Sequence, residues 1–141
     1  MSSKRETILD AIKDALVSVT NVPDASVFRS RVSALSRREF PAILIEPQSE
    51  TCERGATNHL DWTLQVSIMI MVRGSTPDLV ADPICISVHN KIMSNSTLDG
   101  LVVDIVPQTV DWQIDEADLD LGIVRTNYLV RYLTSQNDLT S

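Results

Sequence analysis

Glycine is scarce in this chain: four residues in 141, at Gly55, Gly74, Gly100 and Gly122, each isolated. A phosphate cradle needs clustered glycines so that backbone N–H groups can converge on the anion. The spacing rules out a P-loop, a dinucleotide fingerprint and a nucleophile elbow, and so argues against nucleotide-dependent catalysis. Cysteine is scarcer still, with Cys52 in a polar stretch and Cys85 in an apolar one. Neither belongs to a C-x-x-C or a disulfide framework, and the expectation is a reduced, intracellular protein. Long apolar runs are missing too. The strongest, Leu64 to Val72, falls well short of the roughly 20 residues of a membrane helix. The start lacks a basic segment followed by an apolar one, so neither secretion nor membrane insertion is expected. Aromatic residues make up 4%. One further lack is local: from Asp99 to Asp120 there are seven acids and no Lys or Arg.

What the chain does have is enough apolar residue, 43% of the total, to close one ordinary core without a metal or disulfides. Residues 1–134 read as a single α+β domain and residues 135–141 as a flexible polar tail. Net charge is −7, which disfavours tight nucleic-acid binding, because that affinity comes from Lys and Arg displacing counterions from phosphate. The opposite sign is concentrated in Arg29, Arg31, Arg37 and Arg38, ten residues without an acid.

Ser3 and Glu6 have the spacing of a capping box, and Ile8, Ile12, Ala15/Leu16 and Val19 then share one helical face. That helix is expected to end before Asn21-Val22-Pro23, since the residue before proline is pushed out of helical geometry. A short β piece, Val27 to Val32, follows. Phe40 to Glu46 reads as a strand closed by Pro47, and Pro47 to His59 as a long exposed connection. Leu60, Trp62, Leu64, Val66, Ile68, Ile70 and Val72 alternate with more polar residues, which predicts one long strand with one buried face. Met69 and Met71 on its other face predict that its far end is covered on both sides. Thr76-Pro77 starts a second helix with Val80, Ile84, Val88 and Ile92 on one face, and Asp82-Pro83 is a place for a kink or a restart.

In the strands that follow, apolar residues are odd-numbered at Leu101, Val103 and Ile105 but even-numbered at Val110, Trp112 and Ile114. Such a slip near Pro107-Gln108 predicts a β-bulge. A last strand runs from about Ile123 to Leu133. The fold class is then α+β: a mainly antiparallel sheet of about four or five strands, with room for a parallel pair, and two amphipathic helices packed on one face.

Three groups of residues invite chemistry. The stretch DWQIDEADLDLG holds Asp111, Asp115, Glu116, Asp118 and Asp120, but it fails as a calcium loop. Counted from Glu116, position 6 is Leu121 rather than glycine and position 12 is Asn127 rather than Glu. Placing a turn near Asp118 instead sets Asp111 opposite Arg125, Trp112 opposite Val124 and Val110 opposite Thr126, a hairpin whose side chains match across the strands. A divalent cation held by Asp115, Glu116, Asp118 and Asp120 at a subunit contact is the fallback, and catalytic carboxylates would need a cleft that a hairpin tip does not offer. Cys85 and His89 share one side of the second helix. A thiolate needs an electropositive, accessible setting, whereas Cys85 lies between Ile84 and Ile86; His59 stands alone. The arginines have no interleaved aromatics for base stacking. They read as a solvated face, or as the surface that meets the acidic hairpin of a neighbour in a head-to-tail ring, where two different surfaces must fit.

The motif Arg37-Arg38-Glu39-Phe40-Pro41-Ala42-Ile43-Leu44-Ile45, the long strand Asp61 to Ile68, a second helix, and the acidic Asp115-Glu116-Ala117-Asp118 leading into Tyr128-Leu129-Val130-Arg131-Tyr132 together resemble the minor tail protein U family of lambda-like phages, the tail terminators. The resemblance runs from Lys4 to about Thr134. It implies a structural virion protein of the tail, assembled in the host cytoplasm: subunits form a ring, usually of six, on the head-proximal end of the tail tube, stop its polymerisation and supply the surface for head joining. It implies as partners other copies of the chain, the tube protein and a head–tail connector, with DNA passing through the channel without specific binding. No reaction, cofactor or metal is implied, and no catalytic residues carry over. The alternatives are another head–tail connecting subunit such as a neck or joining protein, or a small metal-dependent or thiol enzyme.

Overall fold

A computed structural model describes residues 2–30, 35, 39–114 and 120–141. Two helices, α1 (Lys4–Ala15) and α2 (Pro77–Met93), lie against one sheet made of β1 (Val27–Arg29), β2 (Ala42–Arg54), β3 (His59–Arg73), β4 (Asp104–Ile114) and β5 (Leu121–Ser135). The order across the sheet is β1-β2-β3-β5-β4. All neighbours are antiparallel except β1 and β2, which are parallel. β3 and β4 therefore run the same way with β5 inserted between them, a split β–α–β arrangement with α2 as the crossover.

The alternation in β3 does what its period requires. Leu64, Val66, Ile68, Ile70 and Val72 are all buried and face Val130, Tyr128, Val124 and their neighbours on β5. On the opposite face Met69 is also buried, as are Ala42 and Leu44 beside it, so the far end of β3 is enclosed on both sides. α1 contributes Ile8, Leu9 and Ile12 to the core, and α2 contributes Ala81, Ile84, Val88 and Ile92. Each such aliphatic side chain stabilises the fold by roughly 1.5–3 kcal/mol when fully buried.

Local signals held with some shifts. Ser3 Oγ accepts the Glu6 backbone N–H at 3.3 Å, but the Glu6 carboxylate turns away to Arg29 instead of closing the box. α1 stops at Ala15, and Val19 and Val22 are buried from the turns that follow it. α2 runs through Pro83 unbroken. Its buried row is Pro77, Ala81, Ile84, Val88 and Ile92; Val80 is off that face and 37% exposed.

Three expectations are corrected. Pro47 does not end β2: a register shift between Pro47 and Ser49 absorbs it, since a bulge leaves the missing N–H without a ladder partner to fail. The expected long connection is therefore mostly strand, and only residues 55–58 separate β2 from β3. Leu101 and Val103 precede β4, in turns where Leu98, Asp99 and Gly100 all have positive φ. The bulge predicted near Pro107-Gln108 is present, between Pro107 and Thr109.

Gly122 marks a close approach. A Cβ there would sit 2.3 Å from the Pro77 Cβ, so only glycine lets the first turn of α2 lie directly on β5. Residues 136–141 return to the start of the chain, and the Lys4 N–H, which the first turn of α1 cannot satisfy, donates to the Leu139 carbonyl at 2.7 Å.

Candidate functional site

The acidic hairpin has the register that side-chain matching requires. Val110 pairs with Thr126, Asp111 with Arg125, and Trp112 with Val124. Asp111 and Asp120 are exposed, and the Asp120 carbonyl accepts the Gly74 N–H at 2.9 Å. Asp115, Glu116 and Asp118 lie outside the described residues. The pairing of Asp111 and Arg125 is one of register only. The Arg125 guanidinium donates to Met69 Sδ at 3.0 Å, and among the described residues no ion pair joins it to Asp111. Nor does any group of three metal-ligating side chains occur among the described residues.

Of the four arginines, Arg29 is described; Arg31, Arg37 and Arg38 lie outside the described residues. Arg29 ends β1 and donates to Asp10 at 2.6 Å and to Glu6 at 2.8 Å. Desolvation works against its charge, but these two carboxylates outweigh it and hold its pKa above the ordinary value. β1, which ends in Arg29, is one edge strand of the sheet, and β4, which carries Asp104 and Asp111, is the other.

Cys85 and His89 do fall together, on the α2 wall of a groove of about 450 Å³ whose other wall includes Pro107, Val110, Trp112, Thr126 and Tyr128. Burial, reinforced by the Asp82 carboxylate, pushes the Cys85 thiol pKa up. That is the wrong direction for a thiolate nucleophile. Burial likewise raises the Tyr128 phenol to about 12.

Charge and motif reasoning missed the apolar exposure around this groove. Trp112 is 67% exposed, Ile114 57% and Ile86 55%. A second hollow of about 520 Å³ continues along Pro77, Asp78, Trp112, Ile114 and Val124. The even-numbered alternation of Val110, Trp112 and Ile114 did signal a face intended for burial. It could not signal that neither helix reaches over that end of β4.

A second cluster holds the other end of the sheet. The Glu50 carboxylate accepts from Arg5 Nε at 2.9 Å and from the Tyr132 hydroxyl. Trp62 stacks on Tyr132 with centroids 6.3 Å apart and planes at 13°, and its indole N–H donates to Thr134 Oγ1 at 2.9 Å. Burial and the Glu50 hydrogen bond raise the Tyr132 pKa, so the hydroxyl stays a donor. This network ties α1 to β2 and β5.

The described residues form a small α+β domain with a carboxylate-rimmed apolar groove at one margin of its sheet. Comparison with known families supplies the class: the profile of the phage minor tail protein U family matches residues 2–132, and the chain belongs to that family, as a structural protein of the phage tail. Among solved structures, a chain from the virion of a native gene transfer agent particle is similar, with a TM-score of 0.53 and 6% identity over 90% of this chain and 95% of that one. At that identity the likeness is one of fold. No curated protein sequence matches the chain.

Proposed function

We propose that this tail protein closes into a head-to-tail ring, of six copies as in the family it belongs to, on the head-proximal end of the tail tube. There it stops tube polymerisation and offers the surface to which the head is joined. The observation that supports the ring is that the two edge strands carry opposite charge: β1 ends in Arg29, where the basic stretch of the sequence begins, and β4 carries Asp104 and Asp111. A heterologous ring contact joins two different surfaces on opposite sides of a subunit, and complementary charge gives that contact its register. In this reading the stretch with Arg29, Arg31, Arg37 and Arg38 meets Asp111, Asp115, Glu116, Asp118 and Asp120 of the neighbour. Residues 1–134 act as one unit in this role and 135–141 as a polar tail. The role needs no reaction, cofactor or metal, and the net charge of −7 lets DNA pass a central channel without adhering.

Loss of the protein is expected to give overlong tails by electron microscopy, and tails assembled with it to end in a ring. Tails of normal length that fail to join heads would assign it to the neck instead. Asp118→Arg is expected to weaken the ring at low salt and a second change, Arg38→Glu, to restore it in part. Indifference to salt would remove the charge pairing from the account.

A further inference from the structure

We infer that the groove between α2 and strands β4 and β5 is the socket of the ring contact, and that its occupant is a second copy, entering by its basic stretch, residues 29–38, which begins at the end of β1. This rests on the ring reading and adds a location that the charges of the hairpin tip do not specify.

The first argument is exposure on an edge strand. Natural sheets blunt their edges with charges, prolines, bulges, short strands or covering elements, because an open edge recruits other chains; β4 has Pro107 and its bulge in its first half, and beyond Thr109 only Asp111. β4 is eleven residues long and exposed at every position but Ile105, and the sequence has no Lys or Arg from Ile92 to Val124. Val110, Trp112 and Ile114 all stand on the helix-bearing side, opposite Thr126, Val124 and Gly122, and Ile86 of α2 is exposed across the groove from them. A contiguous apolar surface of this kind marks an interaction site. By contrast the other edge strand, β1, has only three residues.

The second argument is the sign of the charge around that apolar floor. Asp78 and Asp82 are four residues apart on α2, so they share a side of the helix, and both line the groove. Among the described residues no Lys or Arg lines either hollow. An apolar floor with an exposed indole and carboxylates on its rim suits arginine: the guanidinium stacks on the Trp112 face while its N–H groups reach the carboxylates. The stretch Arg29-Ser30-Arg31-Val32-Ser33-Ala34-Leu35-Ser36-Arg37-Arg38 carries arginines together with Val32 and Leu35, so it supplies both kinds of contact. Because that stretch begins at the end of β1, the edge strand opposite β4, a head-to-tail arrangement brings it to the neighbour's groove.

The test replaces Trp112 in the full chain with the photo-crosslinking residue p-benzoylphenylalanine. Tails are assembled from a mixture of isotopically light and heavy protein and irradiated, and the crosslinked peptides are mapped by mass spectrometry. Light–heavy crosslinks into residues 27–40 are the expected result. Crosslinks to a different virion protein, or to the β4 of a second copy, on tails that still end in a ring would overturn the socket and leave the ring standing. Tails without a terminal ring would overturn the ring itself. As a second measurement, Asp82→Lys, at an exposed position beyond the first turn of α2, is expected to weaken ring formation severalfold at low salt with unchanged thermal unfolding of the isolated subunit. Ring formation at the wild-type level would count against the socket as firmly as a misplaced crosslink.

Discussion

The two tryptophans stand on the same side of the same sheet and have opposite lives. Trp62 on β3 is partly buried, stacked on Tyr132 and hydrogen-bonded to Thr134. Trp112 on β4 is 67% exposed and makes no hydrogen bond among the described residues. Both occupy strand positions that alternate with polar residues, so their local patterns are alike. The difference is one of cover. Trp62 packs in the corner that Arg5, Glu50 and Tyr132 tie to α1, whereas β4 lies beyond β5 at the margin of α2. One indole serves the fold; the other is left for a partner.

That contrast is open to breakage in order of effect. Trp62→Ala should lower unfolding stability by about 3 kcal/mol, since it removes the stacked ring, its hydrogen bond and the packing around them; chemical denaturation measures it. Gly122→Ala, at the seam where α2 meets β5, should cost about 2 kcal/mol because the added methyl collides with Pro77, seen as a lower denaturation midpoint. Between the two regions lies Tyr128, buried under the groove. Its folded pKa is raised from 10.0 to about 12, so its stabilisation is complete below pH 10 and is lost as pH rises toward 12, on the order of 2 kcal/mol. Tyr128→Phe should flatten that alkaline decline, and an unchanged slope would assign the loss elsewhere. Trp112→Ala should have the smallest effect on the isolated subunit, within about 0.5 kcal/mol, while impairing assembly. Equal destabilisation by the two tryptophan substitutions would erase the contrast.

Much of the ladder was legible in advance because register on a half-buried strand follows from which side chains must point inward. Asp111 opposite Arg125, Trp112 opposite Val124 and the bulge beside Pro107 all followed from alternation. Pro47 was misread because its effect depends on context: the same residue stops an isolated strand but is tolerated at a bulge inside a long hairpin. Val80 was misplaced by one position because a helical stripe is wide enough to admit either Val80 or Ala81 until the packing partner is known.

For the candidate site, the charge of the acidic and basic stretches was plain from composition. That Arg29 and Asp111 stand on opposite edge strands was not. It arises because β5 inserts between β3 and β4 and because β1 pairs in parallel outside β2, long-range choices that no local pattern encodes. By itself, then, the sequence determined two helices, alternating strands, the hairpin register and the position of the charges, all properties of neighbouring residues. Tertiary structure alone decided which apolar face stays uncovered. Burial depends on what the rest of the chain can reach, and here neither helix reaches across to Trp112.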